Sequence, residues 1–402
     1  MPAFIRFCYN LADMRKSLRI TPLLIVGALL LIPQAALAGE SAPCLPGIYA
    51  ENDSDCLPVG PSQYLEDMAA LGITFPMQPL PAASPDPELG YASASYARVT
   101  VPEAEIFVSL EEAIIGKNPL TTIETGFNYV SYIDLQVVEG KKYYMIAPGQ
   151  WMRGGQLSGG VAPSTYAGLE FFGTPERDFG WVLFPVDAQR QPGLQNRQFT
   201  GMNFNRWDVI QVYDRREVEG LDWYMVGPGQ WIPSRVINNN IVGQSGVALV
   251  YVDSPPPAEV DNGRWVEINL YEQTVSVYED NQLVYAMLVS SGAPGFWTRP
   301  GLFQIHDSYE TTPMTGAFEA DRSDFYYLED VPWTLYFDEA RAFHGAYWHN
   351  NFGYVTSHGC ANLSFTDSAW LFNWAELGDW VYVWDISGET PVDPSLYGAG
   401  GA

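Results

Sequence analysis

Residues 264–289 decide the fold class, because they read RWVEINLYEQTVSVYEDNQLVYAMLV. Val266, Ile268 and Leu270 alternate with polar residues, which is the period of a β-strand with one buried face. Two further apolar stretches follow, each after a short polar turn, the second turn being Asp280-Asn281. Alternation interrupted by turns at short spacing predicts an antiparallel meander or a β-sandwich.

This β-rich domain is predicted to span 263–385. It starts after the Pro-rich stretch 254–262, which is a linker because a proline run cannot join the interior of a sheet. One helix is predicted from Thr366 to Ala375, with Thr366 as its cap, and 380–384 is predicted as a closing strand. The apolar face of that helix is formed by Trp370, Leu371 and Trp374. Residues 386–402 form a loose tail.

An internal repeat precedes the linker. Residues 140–151 read GKKYYMIAPGQW and residues 220–231 read GLDWYMVGPGQW, so seven of twelve positions are identical at an offset of 80. Each copy predicts a hairpin with an aromatic strand and a Pro-Gly turn. We therefore expect two small β-barrel modules, at 96–165 and 166–253, and a chain that is mainly β. Trp151 and Trp231 are either core residues of spacer modules or exposed ligand-binding aromatics.

The N-terminus resembles an export signal over residues 1–38. Arg15, Lys16 and Arg19 precede the apolar run 23–32, and Ala36-Leu37-Ala38 is typical of a cleavage site. The sequence therefore predicts a secreted protein, with an uncleaved membrane anchor as the alternative. The apolar run is short for a membrane span.

Export makes the cysteines informative. Cys44 and Cys56 lie in the Pro-rich segment 39–95 and can pair, which would stabilise that segment by roughly 3 kcal/mol on the chain-entropy model. Cys360 is then the odd cysteine, and an odd cysteine in an exported chain suggests a reactive thiol. The alternative is an inert buried cysteine. The formal net charge of −27 argues against nucleic acid and anionic membrane surfaces as partners.

Three of the four histidines lie close to Cys360. Phe343-His344-Gly345 is followed by Ser357-His358-Gly359-Cys360-Ala361-Asn362. A cysteine nucleophile needs a base for its proton and donors for the oxyanion. A nearby imidazole can be the base, Gly359 permits close approach of a substrate carbonyl, and backbone N–H groups around 358–360 are candidate oxyanion donors.

These motifs resemble the L,D-transpeptidase catalytic-domain family. The resemblance extends to the hairpin at 267–278 and to the stretches Val289-Ser290-Ser291-Gly292 and Thr298-Arg299-Pro300-Gly301. It implies a β-sandwich-like catalytic domain with one or two short helices. The repeats resemble the Src-homology-3-like modules that accompany bacterial cell-wall enzymes.

The resemblance implies a role for each site residue. Cys360 is the nucleophile, His344 is the proton acceptor and donor, and His358 is a polarising neighbour. Supporting or oxyanion positions are Ser357, Gly359 and Asn362. Two departures from the family pattern are Arg299, which separates Thr298 from Pro300, and an insertion at 318–337. This insertion is expected to form a lid over the site with the aromatic residues Tyr326, Tyr327, Trp333 and Tyr336.

The implied reaction is acyl transfer between peptidoglycan stem peptides, giving 3–3 links without a cofactor or metal. Carbapenem-type β-lactams are the implied inhibitors. The repeat region is expected to hold the enzyme on the wall without taking part in the chemistry, so that a fragment starting near Gly263 would keep its activity. The alternatives are an L,D-carboxypeptidase and a non-catalytic wall-binding protein.

Alternative roles for the four histidines fit the sequence less well than the role of a catalytic base. Zinc held by His344, His358 and Cys360 is a further alternative, but the spacing fits no common zinc motif. His306 is interpreted as a plain strand residue and His349 as a solvent-facing or lid residue.

Overall fold

A computed structural model of the chain describes residues 79–92, 94–238, 241–317 and 320–397. The predicted export signal, Cys44 and Cys56 lie outside these ranges. Within them, no helix is long and apolar enough to cross a membrane. The predicted mainly β fold class is confirmed.

The first repeat region, residues 79–161, holds nine strands and one short helix among its described residues. The strands are β1 (Ala82–Ala83), β2 (Ser95–Val99), β3 (Ala104–Ile106), β4 (Thr121–Ile123), β5 (Phe127–Tyr132), β6 (Asp134–Val138), β7 (Lys141–Ala147), β8 (Gln150–Arg153) and β9 (Leu157–Val161), and helix α1 is Leu110–Ile115. Short 3-10 turns lie at Pro87–Gly90 and Gly154–Gln156. Strands β6, β7 and β8 form the meander that contains the first repeat.

The second repeat region holds eleven strands. They are β10 (Leu169–Phe171), β11 (Phe179–Val182), β12 (Val186–Gln189), β13 (Phe199–Phe204), β14 (Val209–Gln211), β15 (Asp214–Val218), β16 (Leu221–Gly227), β17 (Gln230–Pro233), β18 (Arg235–Asn238), β19 (Ile241–Ser245) and β20 (Val247–Val250). The two repeats share one strand register, because Met145 faces Trp151 across β7 and β8 as Met225 faces Trp231 across β16 and β17. The predicted hairpin of each repeat is therefore present.

The last region completes the fold. Its strands are β21 (Trp265–Asn269), β22 (Thr274–Glu279), β23 (Gln282–Leu288), β24 (Gly301–Gln304), β25 (Asp307–Gly316), β26 (Tyr326–Asp338), β27 (Arg341–Gly345), β28 (Ala361–Leu363) and β29 (Trp380–Trp384), with helix α2 at Phe365–Trp374 and a 3-10 turn at Pro394–Leu396. The predicted cap of α2 was wrong by two residues. Ser364, not Thr366, accepts the Asp367 N–H through its hydroxyl, so the helix begins at Phe365.

Two sheets pack face to face as a β-sandwich, and each combines strands from distant parts of the chain. One has the order β1-β10-β23-β22-β21-β29-β24, and the other has β28-β27-β26-β5-β2-β9 with β25 also on β26. Residues 127–129 pair in parallel with residues 326–328, so the first repeat region supplies strands to the sheet that carries His344.

Both faces of the β21–β23 meander are buried. Val266, Val275 and Met287 point into the core between the sheets, where they meet α2 and β27. Trp265 and Tyr278 point the other way, stack at 4.2 Å, and join a core that includes Trp181 of β11. The second repeat region therefore covers the face that the alternation would assign to solvent, and Glu267 on that face is only 5% exposed.

The 318–337 insertion forms part of a long β25–β26 hairpin, with residues 318 and 319 outside the described ranges. Of its four predicted lid aromatics, only Tyr326 lines the candidate pocket. Tyr327 packs on the core of the first repeat region and Trp333 packs against Phe365 of α2. Tyr336 lies near His306, which sits between β24 and β25 rather than in a strand.

The shared cores predict that residues 263–397 alone will not fold cooperatively. Removing the preceding strands exposes Trp265, Tyr278 and several neighbours, each contributing about 1.5–3 kcal/mol of burial, which together approaches a typical domain stability. It also leaves β26 without β5. Thermal unfolding by circular dichroism, with residues 79–397 as control, tests this. A sharp transition in the shorter fragment, at the temperature of the control, would contradict it.

Candidate active site

The predicted base lies on β27, and the predicted nucleophile directly precedes the adjacent parallel strand β28. β27 pairs with β28 in a register that puts His344 opposite Asn362. Phe343 and Ala361 point into the sandwich core. Because side chains alternate along a strand, His344 and Asn362 point to the opposite face, and Cys360 immediately precedes β28 on that face.

The loop that carries Cys360 is held by short hydrogen bonds. Ser357 Oγ accepts the Gly359 N–H at 3.1 Å and donates to the Cys360 carbonyl at 2.6 Å. Thr298 Oγ1 donates to the Gly359 carbonyl at 2.8 Å and accepts the Gly292 N–H at 3.0 Å. Gly359 has a φ of 122°, which favours glycine. The Gly359 N–H is therefore engaged within the loop, and the Ser357 hydroxyl fixes the backbone on both sides of it.

Two other motif stretches converge on the same loop. Ser290 and Asn362 exchange backbone hydrogen bonds of 2.9 and 3.0 Å, and Ser357 N–H donates to the Ser291 carbonyl. The extra residue Arg299 reaches Asp338, a buried carboxylate that also accepts from Arg341 at 3.0 Å. Arg299 thus ties the segment after Gly292 to the end of β26.

A pocket of about 610 Å³ opens over these residues. Its walls include all the predicted catalytic and supporting residues except Gly359. The last region contributes His344, Trp348, His349, Ser357, His358, Cys360 and Asn362, among others, and the first repeat region contributes Arg98, Gly126, Phe127 and Tyr129. Nothing in the local sequence of Arg98 or Phe127 marks them as pocket residues, because the pairing that brings them there spans about two hundred positions.

His358 packs between aromatic rings. Its imidazole stacks on Tyr326 with centroids 5.6 Å apart and meets the Phe296 ring edge-on at 4.7 Å. Burial lowers the pKa of His358 from its usual value. The ring is therefore held as part of the pocket wall beside Cys360.

Burial keeps both central groups neutral. It raises the pKa of the Cys360 thiol to about 11, against opposing effects of the Ala342 backbone and Arg341. It lowers the pKa of His344 to about 4. The Cys360 thiol donates to the Ala340 carbonyl at 3.7 Å. A resting thiolate–imidazolium pair is therefore disfavoured.

The position of the His344 proton follows from its neighbour. Nδ1 lies 3.4 Å from the Gly345 carbonyl, a long hydrogen bond in which only a protonated Nδ1 can donate. In the neutral ring that tautomer leaves Nε2 unprotonated. His344 can then accept a proton at Nε2.

His349 was predicted as a solvent-facing or lid residue, but it lies in the pocket. The Asn351 N–H donates to its Nδ1 at 3.1 Å, so the proton of the neutral ring is on Nε2. Nε2 lies 3.0 Å from the Asn362 side-chain amide. The Asn362 atom nearest Nε2 is Nδ2, and Oδ1 has no hydrogen-bond partner among the described residues. A rotation that exchanges the amide oxygen and nitrogen would let Nε2–H donate to Oδ1. The only sequence feature that could have predicted the pocket position of His349 is its place five residues after His344, on the segment that leaves β27.

Within the described ranges, no group of three or more His, Cys, Asp or Glu side chains is arranged to hold a metal ion.

Comparison with known proteins identifies the last region. Residues 263–383 match the family model YkuD, the L,D-transpeptidase catalytic domain, which is less than a third of the 402-residue chain. The chain therefore carries an L,D-transpeptidase catalytic domain over these residues. No curated protein matches the chain.

Solved structures of L,D-transpeptidases are also similar. The enzyme from Stackebrandtia nassauensis is 26% identical over 31% of this chain and 57% of its own length, with a TM-score of 0.26. The catalytic domain of the enzyme from E. faecium is 24% identical over 31% of this chain and 99% of its own, with a TM-score of 0.28. L,D-transpeptidase 3 from Mycobacterium tuberculosis, solved with a faropenem-derived adduct, is 22% identical over 40% of this chain and 76% of its own, with a TM-score of 0.29.

The Thr298 contacts predict that Thr298→Val destabilises the protein and disturbs the Cys360 loop. The change leaves the Gly359 carbonyl and the Gly292 N–H without their partner in a buried site, at a cost of about 1–3 kcal/mol. Urea unfolding measures the loss, and the rate of Cys360 alkylation by iodoacetamide reports the loop. Thr298→Ser keeps the hydroxyl and should retain most of the stability. Equal loss in both variants would show that the hydroxyl is not responsible.

Proposed function

We propose that the chain is an exported peptidoglycan L,D-transpeptidase that forms 3–3 cross-links through a thioester on Cys360. The observation that carries this is the placement of Cys360 and His344 on one face of a sheet, in one pocket, within the segment that matches the L,D-transpeptidase catalytic domain. The predicted export signal and cell-wall location belong to the same proposal.

In the first step the Cys360 sulfur attacks the carbonyl of the third stem residue while Nε2 of His344 accepts the thiol proton. The peptide bond to the terminal D-amino acid breaks, and His344 returns the proton to the leaving amine. Proton transfer during the attack is consistent with a thiol and an imidazole that are both uncharged before the reaction. Direct ionisation would leave only about 10⁻⁴ of the thiol as thiolate at pH 7, given a pKa of about 11.

In the second step a side-chain amine of another stem attacks the thioester. Its proton passes to His344 and then to the departing Cys360 sulfur, which restores the free enzyme. If water attacks instead, the product is a trimmed stem and the activity is an L,D-carboxypeptidase. Asn362 lines the same pocket beside His349, where its side-chain amide would contact the bound peptide. The repeat region contributes to wall binding as well as to the fold.

Incubation with purified peptidoglycan fragments tests the reaction directly. We expect mass spectrometry to show dimers linked through the third stem residue, with release of the terminal D-amino acid, and no product from Cys360→Ala. Ser395→Ala, in the tail and away from the pocket, is the control. Trimmed monomers alone would favour the carboxypeptidase, and products from Cys360→Ala would refute the role of Cys360.

Carbapenem acylation of Cys360 should have a flat pH–rate profile from about pH 5 to pH 9. His344 accepts a proton only when it is unprotonated, so the rate falls as pH drops through its pKa of about 4. Above that, neutral imidazole and thiol coexist until the pKa of Cys360, about 11. His344→Ala should lower the rate at pH 7 by about 10²–10⁴-fold and make it rise about tenfold per pH unit.

Intact-mass measurement at each pH gives these rates. Cys360→Ala is the control and should form no adduct. A wild-type rate that climbs tenfold per unit through neutrality would contradict the general-base role of His344, and an adduct on another residue would contradict the nucleophile.

A further inference from the structure

One wall of the candidate pocket comes from outside the catalytic domain. Residues 127–129 of β5 pair with residues 326–328 of β26, and the Phe127 N–H donates to the Phe325 carbonyl at 2.9 Å. A Cβ on Gly126 would lie 2.2 Å from the Phe325 carbonyl oxygen. Only glycine fits such an approach without a backbone shift, so the first repeat region is fixed against the pocket.

Arg98 projects from this wall. It lies on β2 opposite Tyr129 of β5, and its backbone N–H donates to Ser158 Oγ at 3.0 Å. Its guanidinium lies 5.9 Å from the centroid of the Phe127 ring. The pocket that contains Cys360 is also lined by Phe127, Tyr129 and Arg98.

The charge of Arg98 stands out in this position. It is the only Lys or Arg among the pocket-lining residues, and Asp324 is the only carboxylate. No described carboxylate lies within ion-pair distance of Arg98, and its side chain is exposed. The chain carries 47 acidic and 20 basic residues, so an anionic peptide is repelled by most of the surface and attracted at this point.

We propose that Arg98, with Phe127 and Tyr129 as an aromatic platform, is a carboxylate-binding subsite through which the first repeat region selects the peptide substrate. The subsite rests on the proposed function, since it binds the same stem peptide. A guanidinium binds a carboxylate through two parallel hydrogen bonds, and a ring face beneath it holds the fork in place. Two carboxylates of a stem peptide share this chemistry: the C-terminal one next to the scissile bond and one on an internal residue.

The test compares Arg98→Ala, Arg98→Lys and the parent enzyme on a soluble stem tetrapeptide. We expect Arg98→Ala to raise KM roughly 10- to 100-fold with kcat within about twofold, and Arg98→Lys to recover part of the loss. Arg216→Ala is the matched control, since Arg216 is also exposed over an aromatic ring but lies outside the pocket. A merely structural effect would not depend on the charge of the substrate.

Amidated peptides identify the carboxylate. One tetrapeptide carries an amide at its C-terminus and the other carries an amide on its internal carboxylate. The peptide that lacks the recognised carboxylate should bind the parent enzyme as weakly as the unmodified peptide binds Arg98→Ala. Its affinity should not fall further when Arg98 is replaced by Ala. If Arg98→Ala weakens all three peptides equally, or none, the subsite is refuted.

Binding without turnover separates this inference from the proposed function. Calorimetric titration of the tetrapeptide into Cys360→Ala, with and without Arg98→Ala, measures the subsite alone. If peptide binding to Cys360→Ala depends on Arg98 while the parent enzyme shows no turnover, the subsite is supported and the proposed reaction is refuted. If turnover is unchanged by Arg98→Ala, the reaction is supported and the subsite is refuted. The absence of both binding and turnover would refute both proposals.

Discussion

The parallel pairing of β5 with β26 is the contact on which the arrangement of the site depends. β26 is the central strand of the sheet that carries His344, and its hydrogen-bonding edge is satisfied by a strand from almost two hundred positions upstream. The pairing covers residues 326–328 of β26, which without β5 would present an unpaired strand edge. The same contact that completes the sheet also places Phe127, Tyr129 and, one strand further, Arg98 at the pocket.

A second constraint comes from burying both faces of the β21–β23 meander. Trp265 and Tyr278 need a covering surface, and the second repeat region supplies it through Trp181 and its neighbours. The Pro-rich stretch at 254–262 therefore connects two parts of a continuous core, and Val260 within it is buried. Such sharing couples the stability of the region that carries Cys360 to residues of the second repeat region.

Burial also determines how the site can work. In the low-dielectric pocket the Cys360 thiol and the His344 ring are both uncharged at neutral pH, because desolvation disfavours the ionised form of each. The hydrogen bonds of Ser357 and Thr298 hold the loop so that sulfur and imidazole share one face. Under the proposed reaction, a neutral pair of this kind would make proton transfer part of the attack on the carbonyl.

Local sequence was sufficient for whatever depends on near neighbours. The alternation at 264–289 predicted the meander, and the repeat predicted two equivalent hairpins. The motif at 357–362, together with His344, predicted a site made of these residues. Local sequence was insufficient for the cap of α2, which Ser364 supplies, and for His349, whose role depends on its contact with Asn362. Tertiary structure alone decided the position of Arg98 at the pocket, the burial of the second face of β21 and the positions of the predicted lid aromatics. The physical reason is that strand pairing and face-to-face packing join residues far apart in the chain, and no local pattern of hydrophobicity or charge records which partner a strand will meet.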